Sequence, residues 1–264
     1  MRYLLAMIIS IISASLFCVK ACADVSYADL FLARKGYKPV DDAWIEKPVV
    51  PHSPNGICIP DNQPYKEWCI NTFDHGEQIY EAYREIAFDI DYRAEPPKMD
   101  YWQTPVETRQ NKKGDCEDSV FLFFSMLSEL DIDGDIAWGW VVDKGNAIAF
   151  AHVWYQLFDK RGKAYIVEGF SKEWNGIVPE EVITCGEERI PTLLLQHSQV
   201  NYMIDKALPK FTESFEDAQF PWGIFLNNTT IIKEIFMKLQ DMFTRYHGQM
   251  NQLSANVQQL AFSN

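Results

Sequence analysis

The feature that most constrains this chain is a single change of hydrophobic period between Asp115 and Phe170. From Asp115 onward, Val120, Phe121, Phe123, Phe124, Leu127 and Leu130 recur densely at helical spacing, which predicts a central, buried helix that stops at the Asp131 to Asp135 turn. Three strand-like runs follow: Ile136 to Val142, Ala147 to Phe158 and Lys163 to Phe170. Asp-Lys-Gly-Asn and Asp-Lys-Arg-Gly separate them, and short turns of this kind join antiparallel neighbours. A buried helix laid on one face of such a sheet is an α+β architecture.

Around this unit the pattern is less regular. Residues 24–73 are rich in Pro and Asp and read as an N-terminal arm with a short helix near Tyr27 to Arg34. From Asp74, the residues Ile79, Tyr80, Tyr83, Ile86, Ala87 and Ile90 mark an amphipathic helix that ends before Pro96-Pro97, and a linking loop runs from Met99 to Gly114. Beyond Pro191 the chain reads as helix again, first near Leu193 to Leu208. From Thr229 a long stripe carries Ile231, Ile232, Ile235, Phe236, Leu239, Met242, Phe243 and Tyr246, continued weakly by Leu253, Val257 and Leu260. Such a stripe packs on its own domain as a rule; the alternative is a docking helix for a partner or a membrane surface, and its few cations argue against anionic lipid. The expected division is a leader over 1–23, the arm over 24–73, a core over 74–190 and a C-terminal helical extension over 191–264.

The first residues have the layout of a secretory signal: Arg2, an apolar run from Tyr3 to Phe17, then Ala21 and Ala23, with cleavage expected after Ala23. This predicts export to a periplasm or outside the cell. The run is short of the about 20 apolar residues of a membrane span. An uncleaved anchor, or a lipoprotein modified at Cys22, are the lesser readings, so membrane contact is expected only through this segment. The 24 basic and 37 acidic residues give a net charge of -13, a field that repels phosphate backbones and excludes nucleic acid as a partner. Of six cysteines, Cys18 and Cys22 leave with the leader. Export permits a disulfide, and Cys58 and Cys69, in a Pro- and Asn-rich stretch, are close enough in sequence to form one; two free thiols are the alternative. Cys116 and Cys185 then remain unpaired, and Cys185 has no assigned role.

Gly114-Asp115-Cys116-Glu117-Asp118 stands at the predicted start of the buried helix. Asp115 is a good N-cap, Asp118 falls three residues later in a capping-box position, and Cys116 becomes the first helical residue. The helix dipole lowers a thiol's pKa there, whereas three adjacent carboxylates raise it, so an imidazolium or a bound cation has to tip the balance. His152 lies in the middle strand and Glu168 near the end of the next, where adjacent antiparallel strands bring side chains of one face together. Nucleophile, base and orienting carboxylate are the set that thiol chemistry needs. Taken singly, Cys116 reads equally as an inert core cysteine, His152 as a satisfied strand histidine and Glu168 as a strand-end charge. Asp131-Ile132-Asp133-Gly134-Asp135 has its glycine in the wrong place for an EF-hand and is read as a turn.

Tyr101-Trp102-Gln103-Thr104-Pro105-Val106-Glu107-Thr108, followed by Gly114-Asp115-Cys116-Glu117-Asp118, resembles the Trp-x-Thr-Pro-x-Glu and Gly-Asp-Cys-Glu-Asp signature of bacterial transglutaminase-like cysteine proteinases and wider transglutaminase-like domains. Ala151-His152-Val153-Trp154 and Tyr165-Ile166-Val167-Glu168 look like the histidine and acid strands of that family, in the same order. The resemblance covers roughly Asp74 to Phe170. It implies a papain-like (transglutaminase-like) fold, in which the catalytic helix packs on the sheet. It also implies acyl chemistry on amide bonds of a protein or peptide, with Cys116, His152 and Glu168 as the triad. The product of that chemistry is hydrolysis by a cysteine peptidase or transfer to an amine by a transglutaminase-type enzyme. A module that kept the fold as a binding surface and lost turnover is the reading from another class. The family's calcium-binding carboxylates match Asp115 and Glu117, so Ca²⁺ is an expected ligand, although the chemistry itself requires no cofactor. Gln110, six residues before Cys116, has the spacing of the oxyanion glutamine of papain-like proteases. The departure is Glu168, where the family usually has Asp.

Overall fold

The computed structural model describes residues 36, 38–39, 62–95, 100–172, 175–183, 187–200 and 229–262. The expected leader, the helix near Tyr27 to Arg34, Cys58 and Cys185 lie outside the described residues, as do the side chains of Ile231, Ile232, Phe236, Val257 and Leu260. The elements run β1 (Lys38–Pro39), α1 (Gln63–Thr72), α2 (Gly76–Arg84), β2 (Asp91–Tyr92), α3 (Pro105–Asn111), β3 (Lys113–Gly114) and α4 (Cys116–Ser128). They continue with β4 (Asp135–Asp143), β5 (Ile148–Phe158), β6 (Ala164–Val167), β7 (Ile177–Pro179), α5 (Glu180–Ile183), β8 (Glu187–Gln196) and α6 (Thr229–Phe262). Among the described residues, no helix is long and apolar enough to cross a membrane.

Helix α4 is the centre of the molecule. Its consecutive residues Val120, Phe121, Leu122, Phe123 and Phe124 are all buried, as a helix covered on every side requires. On one side lies an antiparallel sheet in the order β7-β6-β5-β4-β8, with β1 added in parallel to the start of β5. The α+β, papain-like arrangement expected from the sequence is therefore present. Side chains alternate across the sheet. Trp138, Val153, Tyr155, Leu157, Val167, Leu193 and Leu195 join the α4 core, whereas Ala137, Trp154, Ile166 and Val178 form a second cluster with Ile183 of α5.

Both expected hairpin turns form. The Asp143 carboxylate accepts the N–H groups of Gly145 and Asn146, and Asp159 accepts those of Arg161 and Lys163. Ala147, expected to open the second strand, is instead a turn residue with φ 55°. The third strand is shorter than predicted and stops at Val167.

Three expectations are corrected. The end of the arm is helix α1, whose Tyr65 and Cys69 are buried in the main core together with Phe73 just beyond it, so residues 62–73 pack with that core. The linking loop contains α3, whose Thr104 Oγ1 accepts the Glu107 N–H at 3.2 Å while Glu107 accepts the Thr104 N–H at 2.8 Å. Leu193–Leu195, read as helix, belong to β8, and helix begins only at His197. Leucine favours helices, but Pro191 sits where the β4–β8 register slips between Trp138 and Gly139, and a bulge is the place a strand accepts proline.

Helix α6 packs on its own domain, as its stripe predicted. Leu239, Met242 and Phe243 are buried in the main core. Arg245 donates to Glu107 Oε2 at 2.7 Å and to the Trp102 carbonyl at 2.6 Å, and Thr104 Oγ1 donates to Gln249 Oε1 at 2.6 Å. Gly139 marks the tightest strand contact, because a Cβ there would meet the Ile190 carbonyl oxygen at 2.1 Å. Gly139→Ala is expected to destabilise the protein by about 1–3 kcal/mol through overpacking against backbone. Urea unfolding measures this, and an unchanged midpoint would refute the close approach.

Candidate active site and acidic cluster

Cys116 opens α4, with Asp115 at the N-cap and the Asp115 N–H donating to Asp118 Oδ2 at 3.3 Å. This is the capping arrangement read from the sequence. The thiol donates to Glu117 Oε2 at 3.2 Å, and the backbone N–H of Val153 donates to the sulfur. That second contact depends on the edge of β5. Strand β6 pairs with β5 only from Tyr155 to Phe158, and β1 only at Ile148 and Ala149. Between them the outer edge of β5 has no strand partner among the described residues, and Cys116 takes up its Val153 donor. Burial pushes the thiol well up, the negative charges of Glu117 and Asp115 push in the same direction, and the Val153 N–H acts against them.

His152 is adjacent to Val153 but points to the opposite face of the sheet, the face of Trp154, whose ring centroid is 6.3 Å from its own. Cys116 reaches β5 from its edge, at the Val153 N–H, one residue along from His152. His152 Nε2 is 2.9 Å from Glu168 Oε2, while Nδ1 is buried with no hydrogen-bond partner. Glu168 leaves the sheet just after Val167 and is held by its N–H bond to the Gly176 carbonyl at 2.8 Å. Its second oxygen, Oε1, accepts from Arg189 Nη1. Burial alone would raise the Glu168 carboxyl, but the Arg189 guanidinium and His152 outweigh it and hold it down at about 2.

Arg189 and Glu187, both on β8, are the residues that sequence reasoning missed. Arg189 donates through Nε and Nη2 to Glu187 Oε1 at 2.8 and 2.6 Å, and lies over the Trp154 ring at 5.3 Å. They precede the helix read from Leu193, and the pairing of their strand with β4 is what places them at the site. Gln110 is exposed on α3, and no hydrogen bond among the described residues links it to Cys116. Cys69 is a free, fully buried thiol, while Cys58, its expected partner, is outside the described residues.

Asp115 and Glu117, the expected calcium ligands, come together with a third carboxylate, Asp118, and their ligand oxygens lie within 4.8 Å of one another. Burial raises all three, with mutual repulsion adding to it at Asp115 and Glu117: Asp115 is pushed up to about 7, Asp118 to about 6 and Glu117 well above the usual range. Asp118 is held by the Gln103 N–H at 2.8 Å and by the Gln103 side-chain amide. Asp115 Oδ1 is buried without a hydrogen-bond partner. An orphaned carboxylate oxygen in an all-oxygen set fits a hard cation such as Ca²⁺.

Residues 67–168 match the model of the transglutaminase-like superfamily. None of the curated proteins matches the chain. Solved structures similar to it include Legionella pneumophila LapG in a calcium-bound form, at 16% identity over 44% of this chain and 64% of that one, with a TM-score of 0.34. LapG of the same organism also matches at 17% identity over 45% and 63%, TM-score 0.34, and its EGTA-treated form at 16% over 44% and 62%, TM-score 0.34. The chain thus spans less than two thirds of the length of these structures. The segment that carries Cys116, His152 and Glu168 is a transglutaminase-like superfamily domain.

Proposed function

We propose that the protein is an exported cysteine peptidase that cleaves amide bonds of a protein or peptide substrate. The observation that carries this reading is the His152–Glu168 pair: Nε2 is engaged by the carboxylate at 2.9 Å, and Nδ1 is left as an unengaged base. In this reading His152 Nδ1 takes the Cys116 proton as the sulfur attacks the substrate carbonyl, then returns it to the leaving amine. Water hydrolyses the resulting thioester with His152 again as base. Glu168, ionised at any neutral pH, fixes the imidazole tautomer and offsets the imidazolium that forms. A calcium ion held by Asp115, Glu117 and Asp118 would supply the positive charge that their carboxylates otherwise deny the thiolate. Export rests on the leader layout of residues 1–23.

Treatment of the mature protein with a thiol-directed electrophile should modify Cys116, and Cys116→Ala should abolish the signal. Labelling that survives in Cys116→Ala and vanishes in Cys185→Ala would refute the assignment. Glu168→Gln should slow peptide cleavage by roughly 10²–10⁴-fold with the fold intact.

The acidic cluster makes a separate prediction. Asp115 and Asp118 bind protons more tightly folded than unfolded, so their contribution to stability is complete below the unfolded value of 3.8 and is lost as pH rises through about 6 to about 7. Glu168 works in the opposite sense, and its contribution is lost only as pH falls toward about 2. In EDTA the melting temperature should therefore fall between about pH 4 and about pH 7, and calcium should reduce that fall. Identical profiles with calcium and with EDTA would remove the metal from the reading.

A further inference from the structure

Glu168 poses a mechanical problem for a triad. Its carboxylate has one more rotatable bond than an aspartate, and an orienting group is useful only if it is itself held still. The two oxygens are divided between two partners, with Oε2 on His152 and Oε1 on Arg189. Arg189 is in turn fixed from three directions. Its Nε and Nη2 are taken by Glu187, its guanidinium lies over the face of Trp154, and its side chain is only 6% exposed. Trp154 is fully buried and stacks beside His152.

The sheet is built to let this side chain cross it. Arg189 stands on β8 opposite Val141, whereas His152 is on β5 opposite Gly139, so the guanidinium passes over β4 to reach Glu168 beyond. Ala137, Gly139 and Val141 are the β4 residues on that face, and Gly139, opposite His152, has no side chain to fill the path. Strand β8 lies beyond residues 67–168, so this contact comes from outside the segment that matches the family.

We infer that Arg189 is a positioning residue for the Glu168–His152 pair: its planar fork, anchored on Glu187, locks the Glu168 carboxylate so that one oxygen alone is presented to His152 Nε2. This rests on the reading of Cys116, His152 and Glu168 as a triad. A lysine would keep the charge but not the fork, because an ammonium has no fixed plane. The inference therefore separates geometry from charge.

The test is the tautomer of His152, read from long-range ¹H–¹⁵N spectra of histidine-labelled protein and assigned with His152→Gln. The wild type should show the Nε2–H form alone. Arg189→Met removes the fork and leaves two buried carboxylates facing each other, so Arg189→Lys is made beside it as the variant that retains the charge. Either variant, folded, should show mixed tautomers, with the rate of Cys116 alkylation at fixed pH lowered by roughly tenfold or more. A wild-type tautomer in folded Arg189→Lys would overturn the inference, and so would a wild-type tautomer in Arg189→Met. The two readings fail separately. If wild-type Cys116 is inert to the electrophile while the tautomer still responds to position 189, the peptidase reading falls and the positioning role stands.

Discussion

Burial of α4 on all sides is the constraint from which the rest of the architecture follows. A helix with Phe121, Leu122, Phe123 and Phe124 in succession has no face to give to water, so every neighbouring element is recruited to cover it. The sheet supplies Tyr155, whose ring meets Phe123 edge-on at 5.1 Å, and α6 supplies Phe243 against Phe121 at 6.3 Å. Tyr65 and Tyr83, stacked at 5.8 Å, extend the cover through α1 and α2. Once the helix is held this way its N-terminus has one place to be, and Cys116 meets the open edge of β5. The position of the thiol is thus a product of core packing, and its chemistry is set separately by the charges around it.

Those charges are handled in opposite ways on the two sides of the site. On the histidine side, two buried glutamates share one buried guanidinium, and the charges are matched within hydrogen-bonding distance. On the cysteine side, three carboxylates are gathered with no cationic side chain bonded to any of them among the described residues, and each is driven toward its protonated form. The protein carries its own counter-charge beside His152 and leaves it to protons or a metal beside Cys116. The thiol is therefore the part of the site most open to control by the surrounding solution.

The sequence was informative where the physics is local. Capping at Asp115, the two Asp-led turns and the alternation in β4 and β5 were legible because each depends on a few consecutive residues. Glu168 was placed correctly at a strand end, although its strand is shorter than its hydrophobic run. Thr104-Pro105-Val106-Glu107 did carry a capping-box signal for α3, hidden inside what read as a loop. Helix α1 was missed because Tyr65, Trp68 and Cys69 are separated by polar residues whose spacing shows no sustained stripe. The misreading of β8 was of another kind. Three consecutive leucines favour helix, and only the pairing with β4 overrides that preference. Arg189 could not be recognised from the sequence, because Glu168 stands 21 residues away and the two meet only once β8 has paired with β4.

Helix α6 has a consequence for how the protein is handled. Through Arg245 and Gln249 it clasps Trp102, Thr104 and Glu107, and the residue between the first two, Gln103, holds the Asp118 carboxylate near Cys116. The far end of the chain therefore acts as a brace for the acidic residues next to Cys116. Fragments trimmed to residues 67–168 would keep Cys116, His152 and Glu168 and lose the brace. A weak or metal-insensitive fragment would then report a missing strut, and would be poor ground for judging the chemistry of the intact chain.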